Sequence, residues 1–211
     1  ASLPGGFWMQ LVVALCCLAI GFWALGLRPG ETGVRLVAAS SVGAAMSMMA
    51  SAAYIYRELA LDAALLRFLS SLNHLGSMTF ATVILVLFLL YPRRLVAPSV
   101  PVAIALVMAT AWIVDALRIS PLELGATRYL PIASGLVGAL AAAAVQYARA
   151  AGDPLMRAGL VWLALSLAVG TCVFVVMYAV PSLLGLRAET PQAFAYALAL
   201  LVYAGIAVGV A

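Results

Sequence analysis

The sequence contains no lysine, a single histidine and few charged residues of any kind. Charged residues make up 9% of the chain, whereas a soluble domain carries about 25%. Because a retinal Schiff base needs a lysine amine, the missing lysine excludes a retinal protein. The single histidine excludes bis-histidine ligation of a haem.

The sequence also lacks the motifs that carry common catalytic chemistry. It has no HExxH zinc motif, no nucleophile elbow, no phosphate-binding loop and no internal repeat. The three cysteines lie in apolar stretches and are interpreted as packing residues. Met46, Met48 and Met49 could serve as soft ligands for Cu(I), but they do not share one helix face. We therefore expect no catalytic residue, no metal site and no cofactor in this segment.

What the chain does contain is apolar sequence of membrane-spanning length. Hydrophobic residues make up 67% of it, and the mean hydropathy is +1.18. A spanning helix needs about 20 mostly apolar residues. The sequence therefore predicts an all-α fold, a polytopic transmembrane bundle of seven helices that forms one domain over residues 1–211 in a lipid bilayer. The predicted spans are 7–27, 34–56, 68–91, 100–117, 129–147, 158–180 and 193–211.

The connections between the spans are short, which predicts that consecutive helices run antiparallel. The connector 57–67 is polar at both ends and is predicted to form a short interfacial helix. The net charge of +4 comes from arginines placed singly or in pairs between the spans, which is typical of topology signals rather than of nucleic-acid binding.

Counting arginines near the span ends gives a weak bias toward an outside N-terminus and a cytoplasmic C-terminus. The adjacent pair Arg93-Arg94, which has no acid nearby, strengthens this orientation. The residues predicted to anchor the cytoplasmic side are Tyr91, Pro92, Arg93, Arg94 and Arg157.

A polar stripe near the outer end of the third span is the strongest candidate site. Ser70, Asn73, His74 and Ser77 recur at helical spacing, and polar groups in membrane helices usually face the bundle interior. The stripe could contact a ligand or hold a proton-sensitive group, or it could only supply interhelical hydrogen bonds. The predicted ligand-binding residues are Arg57, Glu58, Asn73, His74 and Ser77.

Two further patterns predict structural contacts. Asp115 and Arg118 lie one turn apart at the end of the fourth span, which predicts a local ion pair. Small residues share one face of the second span and predict close helix packing. They are Ser40, Gly43, Ala44, Ser47 and Ser51.

Several segments together resemble the membrane sensor region of bacterial histidine kinases, of the type related to the quorum-sensing competence kinases. The segments are RELALD at 57–62, LNHLG at 72–76, FLLYPRRL at 88–95, GDPLMRAGLVWLAL at 152–165 and YAVPSLLG at 178–185. The resemblance implies a location in the bacterial inner membrane, a homodimer, and a cytoplasmic kinase domain following Ala211. The last apolar stretch reaches Ala211 without a charged flank, which agrees with that expectation.

The leading hypothesis is therefore a membrane module of a two-component sensor kinase that senses a small-molecule or peptide signal. A small-molecule transporter or channel is the first alternative, although the sequence makes neither a buried ionisable group nor a broken helix at mid-depth evident. An accessory subunit of a membrane complex is the second, and an integral membrane enzyme is a distant further one.

Overall fold

The computed structural model describes residues 3–56, 59–120, 124–184, 200 and 203–205. Within these residues the chain is all-helical, which confirms the predicted fold class. The helices are α1 (Gly5–Leu27), α2 (Thr32–Ile55), α3 (Ala63–Leu90), α4 (Ser99–Ala116), α5 (Leu124–Arg149), α6 (Pro154–Phe174) and the short α7 (Val180–Leu183), with a π-helical turn (Val175–Ala179) between α6 and α7. Six of the described helices are long and apolar enough to cross a membrane, which indicates a multi-pass membrane protein.

The seventh predicted span, 193–211, falls mostly outside the described residues. Its described part consists of Leu200 and the turn 203–205. The Tyr203 side chain is fully buried, and its hydroxyl lies 3.1 Å from Oγ of Ser40 in α2. This part of the chain therefore packs against the bundle.

Within its described residues, 59–67, the connector after α2 shows no α-helix separate from α3, in contrast to the interfacial helix that its sequence predicts. Arg57 and Glu58 lie outside the described residues, and α3 itself already begins at Ala63. α3 does not begin before Ala63 because Asp62 is its N-cap: Oδ1 of Asp62 accepts hydrogen bonds from the backbone N–H of Ala64 (2.8 Å) and Leu65 (2.9 Å). A capping carboxylate of this kind fixes the first helical residue.

Contacts between helices define the topology of the bundle. Gln10 of α1 meets Ser51 of α2, whereas Gly21 farther along α1 meets Ser41, which is closer to the start of α2. The same reversal relates α2 to α3, α3 to α4 and α5 to α6, so consecutive long helices are antiparallel. We call the end where α2 finishes and α3 begins the His74 end, and the opposite end the Arg93 end.

The backbones of α2 and α3 are in close contact. A Cβ added to Gly76 would lie 2.5 Å from the backbone N of Ser47 and 2.6 Å from the carbonyl O of Gly43. A Cβ added to Gly43 would lie 2.8 Å from the backbone N of Phe80. Two glycines thus let the two backbones touch, as small residues do between membrane helices. This agrees with the packing role predicted for the small face of the second span.

The degree of burial distinguishes the two central helices, α2 and α3, from the peripheral helix α4. The most apolar window of α2 is 67% buried and that of α3 is 56% buried, whereas that of α4 is 6% buried. α4 is held to α3 by the indole Nε1 of Trp112, which donates to the carbonyl O of Ser71 at 3.1 Å. Most of the apolar surface of α4 therefore remains available to lipid.

Candidate functional site

The candidate site is a cavity of about 150 Å³ at the His74 end of the bundle. Its walls come from the second half of α2, residues 70–80 of α3, the first half of α5 and the end of α6 with the π-helical turn. The residues that line it are Ala44, Ser47, Met48, Tyr54, Ser70, Asn73, His74, Ser77, Phe80, Arg128, Tyr129, Ile132, Leu136, Leu167, Gly170, Thr171, Phe174 and Tyr178.

A cluster of three ionisable side chains borders this cavity. The Nδ1 atom of His74 lies 2.8 Å from Oδ2 of Asp115, and Nε of Arg128 donates to the same oxygen at 3.2 Å. The side chains of His74 and Asp115 are 2% and 1% exposed, so the carboxylate is removed from solvent. A buried carboxylate needs such partners, because an unpaired one would be very costly.

Three different helices contribute to this cluster. His74 lies on α3, Asp115 lies one residue before the end of α4, and Arg128 lies in the second turn of α5. Nη1 of Arg128 also donates to Oγ of Ser70 at 2.7 Å. The cluster therefore connects α3, α4 and α5 where they come together at the His74 end.

One sequence-based prediction is corrected here. The expected ion pair between Asp115 and Arg118 is absent among the described residues, since the Asp115 carboxylate contacts His74 and Arg128 instead. Arg118 takes a left-handed backbone conformation (φ 55°) just after α4 and is exposed. Asp115 and His74 are both buried, but Asp115 lies in the last turn of α4, so it is not the mid-depth acid whose absence the sequence indicated.

The polar stripe on α3 forms interhelical hydrogen bonds as well as lining the cavity. Oγ of Ser47 in α2 donates to Oδ1 of Asn73 at 3.2 Å and lies 2.7 Å from Oγ of Ser77. Nδ2 of Asn73 donates to the Tyr54 hydroxyl at 3.0 Å. The structure thus brings together the three predicted ligand-binding residues that it describes, Asn73, His74 and Ser77. The other two, Arg57 and Glu58, lie outside the described residues.

Several lining residues were not selected from the sequence as ligand contacts. Arg128 stands alone directly before the predicted span 129–147, and Thr171 carries no sequence signal because an isolated threonine in an apolar span is common. The π-helical turn Val175–Ala179 contributes Tyr178 to the wall. Pro181, just after this turn, has no N–H to donate to it. π-helical turns often occur at functional sites.

The predicted anchor residues gather at the Arg93 end. Tyr91 caps α3 with its backbone N–H, which donates to the carbonyl O of Leu87 at 2.7 Å. The guanidinium carbon of Arg157 lies 4.3 Å from the centre of the Tyr147 ring, a cation–π geometry. Pro92, Arg93 and Arg94 follow α3 directly at this same end.

Gln146 of α5 fixes the backbone at that end. Its Nε2 donates to the carbonyl O of Phe88 at 2.8 Å and to that of Arg93 at 2.6 Å. One buried side chain therefore supplies the donors that the last turn of α3 and the following segment need.

Within the part of the chain that the structure describes, no three histidine, cysteine, aspartate or glutamate side chains are grouped so as to hold a metal ion. Met48 is buried while Met49 is 44% exposed, so these methionines face different ways. Comparison of the chain with protein-family models, with curated proteins and with solved structures found no match.

Proposed function

We propose that this chain is the membrane-embedded sensing and transmitting module of a two-component sensor histidine kinase. The observation that supports a sensing role best is the cavity at the His74 end, whose wall includes His74 and Arg128, both paired with the buried Asp115 behind it. Intramembrane ionisable residues mark functional sites by default. The kinase output and the homodimer rest on the resemblance of the sequence motifs, and the cytoplasmic C-terminus rests on the distribution of arginines at the span ends.

The geometry supplies a route from binding to a change in packing. Because α2, α3, α5 and α6 all contribute to the wall, a ligand in the cavity contacts helices that must move relative to one another in any rearrangement. A ligand shifts a two-state equilibrium only by its difference in affinity for the two states, and a tenfold difference corresponds to about 1.4 kcal/mol. The altered packing would reach the output domain through the last span.

The test uses the full-length gene product in bacterial membranes, with kinase autophosphorylation as the readout and conditioned culture medium as the source of signal. Replacing Asn73 and His74 together by Ala removes two polar lining residues and should abolish the response. Because these residues also hold helices together, a second variant fills the cavity instead. The position of a Cβ at Gly170 is open within 4 Å, so Gly170→Leu should block the response without a clash in the backbone.

The matched control is Gly26→Leu, because Gly26 lies in α1 away from the cavity and its Cβ position is also open. The control should keep the full response. An unchanged response in Gly170→Leu and in the double alanine variant would refute the placement of the signal site. Absence of any phosphorylated histidine in the intact protein would refute the kinase assignment.

A transporter is the second candidate, and one observation favours it. The buried pair of Asp115 and His74 is the kind of group that proton-coupled transporters place in their substrate pathway. Asp115 lies at the last turn of α4, however, rather than near the middle of the helix. Uptake of labelled solutes into proteoliposomes, driven by a pH gradient and lost in Asp115→Asn, would support transport over sensing.

A further inference from the structure

The charges beside the cavity already balance. Asp115 is the buried anion, and Arg128 neutralises it through Nε at 3.2 Å from Oδ2. His74 shares that same oxygen through Nδ1 at 2.8 Å. A second cation at this position would have no anion of its own, and a buried unpaired charge is strongly unfavourable. A neutral imidazole therefore completes a neutral cluster, and an anionic ligand would upset the balance.

The hydrogen-bonding groups of the cluster are not all used. Among the described residues, Nε and Nη1 of Arg128 have partners in Asp115 and Ser70, which leaves Nη2 as a donor that the fold does not employ. The Arg128 side chain is 25% exposed and lines the cavity. A ligand oxygen could therefore reach this guanidinium without first breaking the ion pair.

Thr171 carries a further polar atom on the wall, because its buried Oγ1 has no hydrogen-bond partner among the described residues. A threonine hydroxyl can donate or accept a hydrogen bond. Unsatisfied buried polar groups are rare in folded proteins. The unused guanidinium donor and this hydroxyl on the wall of one cavity indicate that a hydrogen-bonding molecule completes the site.

The volume of the cavity and its apolar lining indicate the size and polarity of the rest of the ligand. A cavity of about 150 Å³ matches one that takes up benzene in an engineered protein. Most of the wall away from the cluster is apolar, with Phe80, Ile132, Leu136, Leu167 and Phe174 among the lining residues. An apolar body about one six-membered ring in size fits this space.

We infer that the cavity binds an uncharged, mainly apolar molecule of about one ring in size that carries a hydrogen-bond acceptor directed at Arg128. The inference rests on the location of the site in the proposed function and adds the chemical class of the ligand. The ligand must be uncharged because Asp115 and Arg128 already neutralise each other. It must carry an acceptor because Nη2 of Arg128 is a donor that the fold does not employ.

The test compares three probes that share a benzene ring and differ in polarity: ethylbenzene, acetophenone and benzoate. Binding to the full chain in lipid nanodiscs is measured by ligand-observed NMR at pH 6 and pH 8, and the signal from Gly170→Leu nanodiscs is subtracted as lipid partitioning. Acetophenone should bind about tenfold more tightly than ethylbenzene, and benzoate should not bind detectably at either pH. The double variant Asp115→Asn with Arg128→Met keeps the site neutral and removes the guanidinium donors. It should still bind ethylbenzene and should lose the preference for acetophenone.

Each other outcome overturns a stated part of the reasoning. Benzoate binding as tightly as acetophenone at either pH, and lost in Gly170→Leu, would overturn the uncharged class while leaving the cavity as the site. Acetophenone binding no better than ethylbenzene, or failing to bind, would overturn the acceptor requirement. Binding of acetophenone that is equal in wild-type and Gly170→Leu nanodiscs would place it outside the cavity, and the location claimed in the proposed function would fail with it.

Discussion

Substituting Gly76 by alanine should be among the most damaging single-methyl changes in this protein. The added Cβ would lie 2.5 Å from the backbone N of Ser47 and 2.6 Å from the carbonyl O of Gly43. Both neighbours are backbone atoms, so no side chain can rotate away. To reach an ordinary contact, the approach to the carbonyl must widen from 2.6 Å to at least 3.4 Å.

A gap of that size along the α2–α3 interface lowers the stability of the folded protein. A radial gap of about 0.5–1 Å already forfeits a quarter to a half of each dispersion contact, and overpacking typically costs about 1–3 kcal/mol. Because the α2 window is 67% buried, we expect Gly76→Ala to lower the free energy of unfolding by about 2–3 kcal/mol. The same shift would move the Ser47–Asn73 and Ser47–Ser77 hydrogen bonds at the cavity.

The assay is reversible unfolding in mixed micelles, followed by helical circular dichroism across a glycine series. Gly43→Ala, which meets a backbone N at 2.8 Å, should cost somewhat less than Gly76→Ala. Gly135→Ala, which meets the Cβ of Ala81 at 3.2 Å, should cost less again, and Gly159→Ala has open space and should cost nothing. Ordinary surface substitutions change stability by no more than about 0.5 kcal/mol. If the stabilities of Gly76→Ala and Gly159→Ala differ by less than that, the close approach of α2 and α3 is refuted.

Three further changes test separate contacts, each by the free energy of unfolding in the same micelles. Asp115→Asn leaves the Arg128 charge without its partner and should cost about 2–3 kcal/mol, below the range for fully buried pairs because Arg128 is 25% exposed. Adding Arg128→Gln should recover most of that loss, and strictly additive losses would contradict the pairing. Asp62→Ala removes the α3 cap and should cost about 1 kcal/mol, with Asp62→Asn close to wild type. Gln146→Leu deprives two backbone carbonyls of their donor and should cost about 1–3 kcal/mol, whereas a neutral result would mean that water replaces it.

Six of the seven predicted spans correspond to long helices among the described residues, and they could be predicted because bilayer thickness sets a length that composition reveals directly. Their first residues could not, because a helix continues past the apolar run until a capping group or a turn ends it. α3 begins at Ala63, five residues before the predicted span, since Asp62 supplies the cap. The same effect starts α6 at Pro154, where Asp153 accepts from the backbone N–H of Met156 at 3.0 Å.

The partners of Asp115 could not be predicted from the sequence either, for a different reason. Spacing favoured Arg118, one turn away on the same helix, because local pairs are the ones that periodicity can detect. In the structure α4 ends before Arg118, whose positive φ turns the chain. Arg128 reaches the carboxylate only because α5 packs beside α3 and α4. That arrangement depends on the whole bundle and leaves no trace in the spacing of charges.

The two alternatives for His74, packing residue or ligand contact, do not exclude each other. One edge of the ring is engaged, because Nδ1 joins α3 to Asp115 at the end of α4 at 2.8 Å. The same side chain lines the cavity. Arg128 also lines the cavity, and its Nε donates to the same Asp115 oxygen at 3.2 Å. A ligand acceptor that binds Nη2 of Arg128 must therefore change the strength of the hydrogen bonds at Asp115, since the donors belong to one guanidinium and share one carboxylate with His74. In the proposed sensor, this shared carboxylate would connect occupancy of the cavity to the contact between α3 and α4.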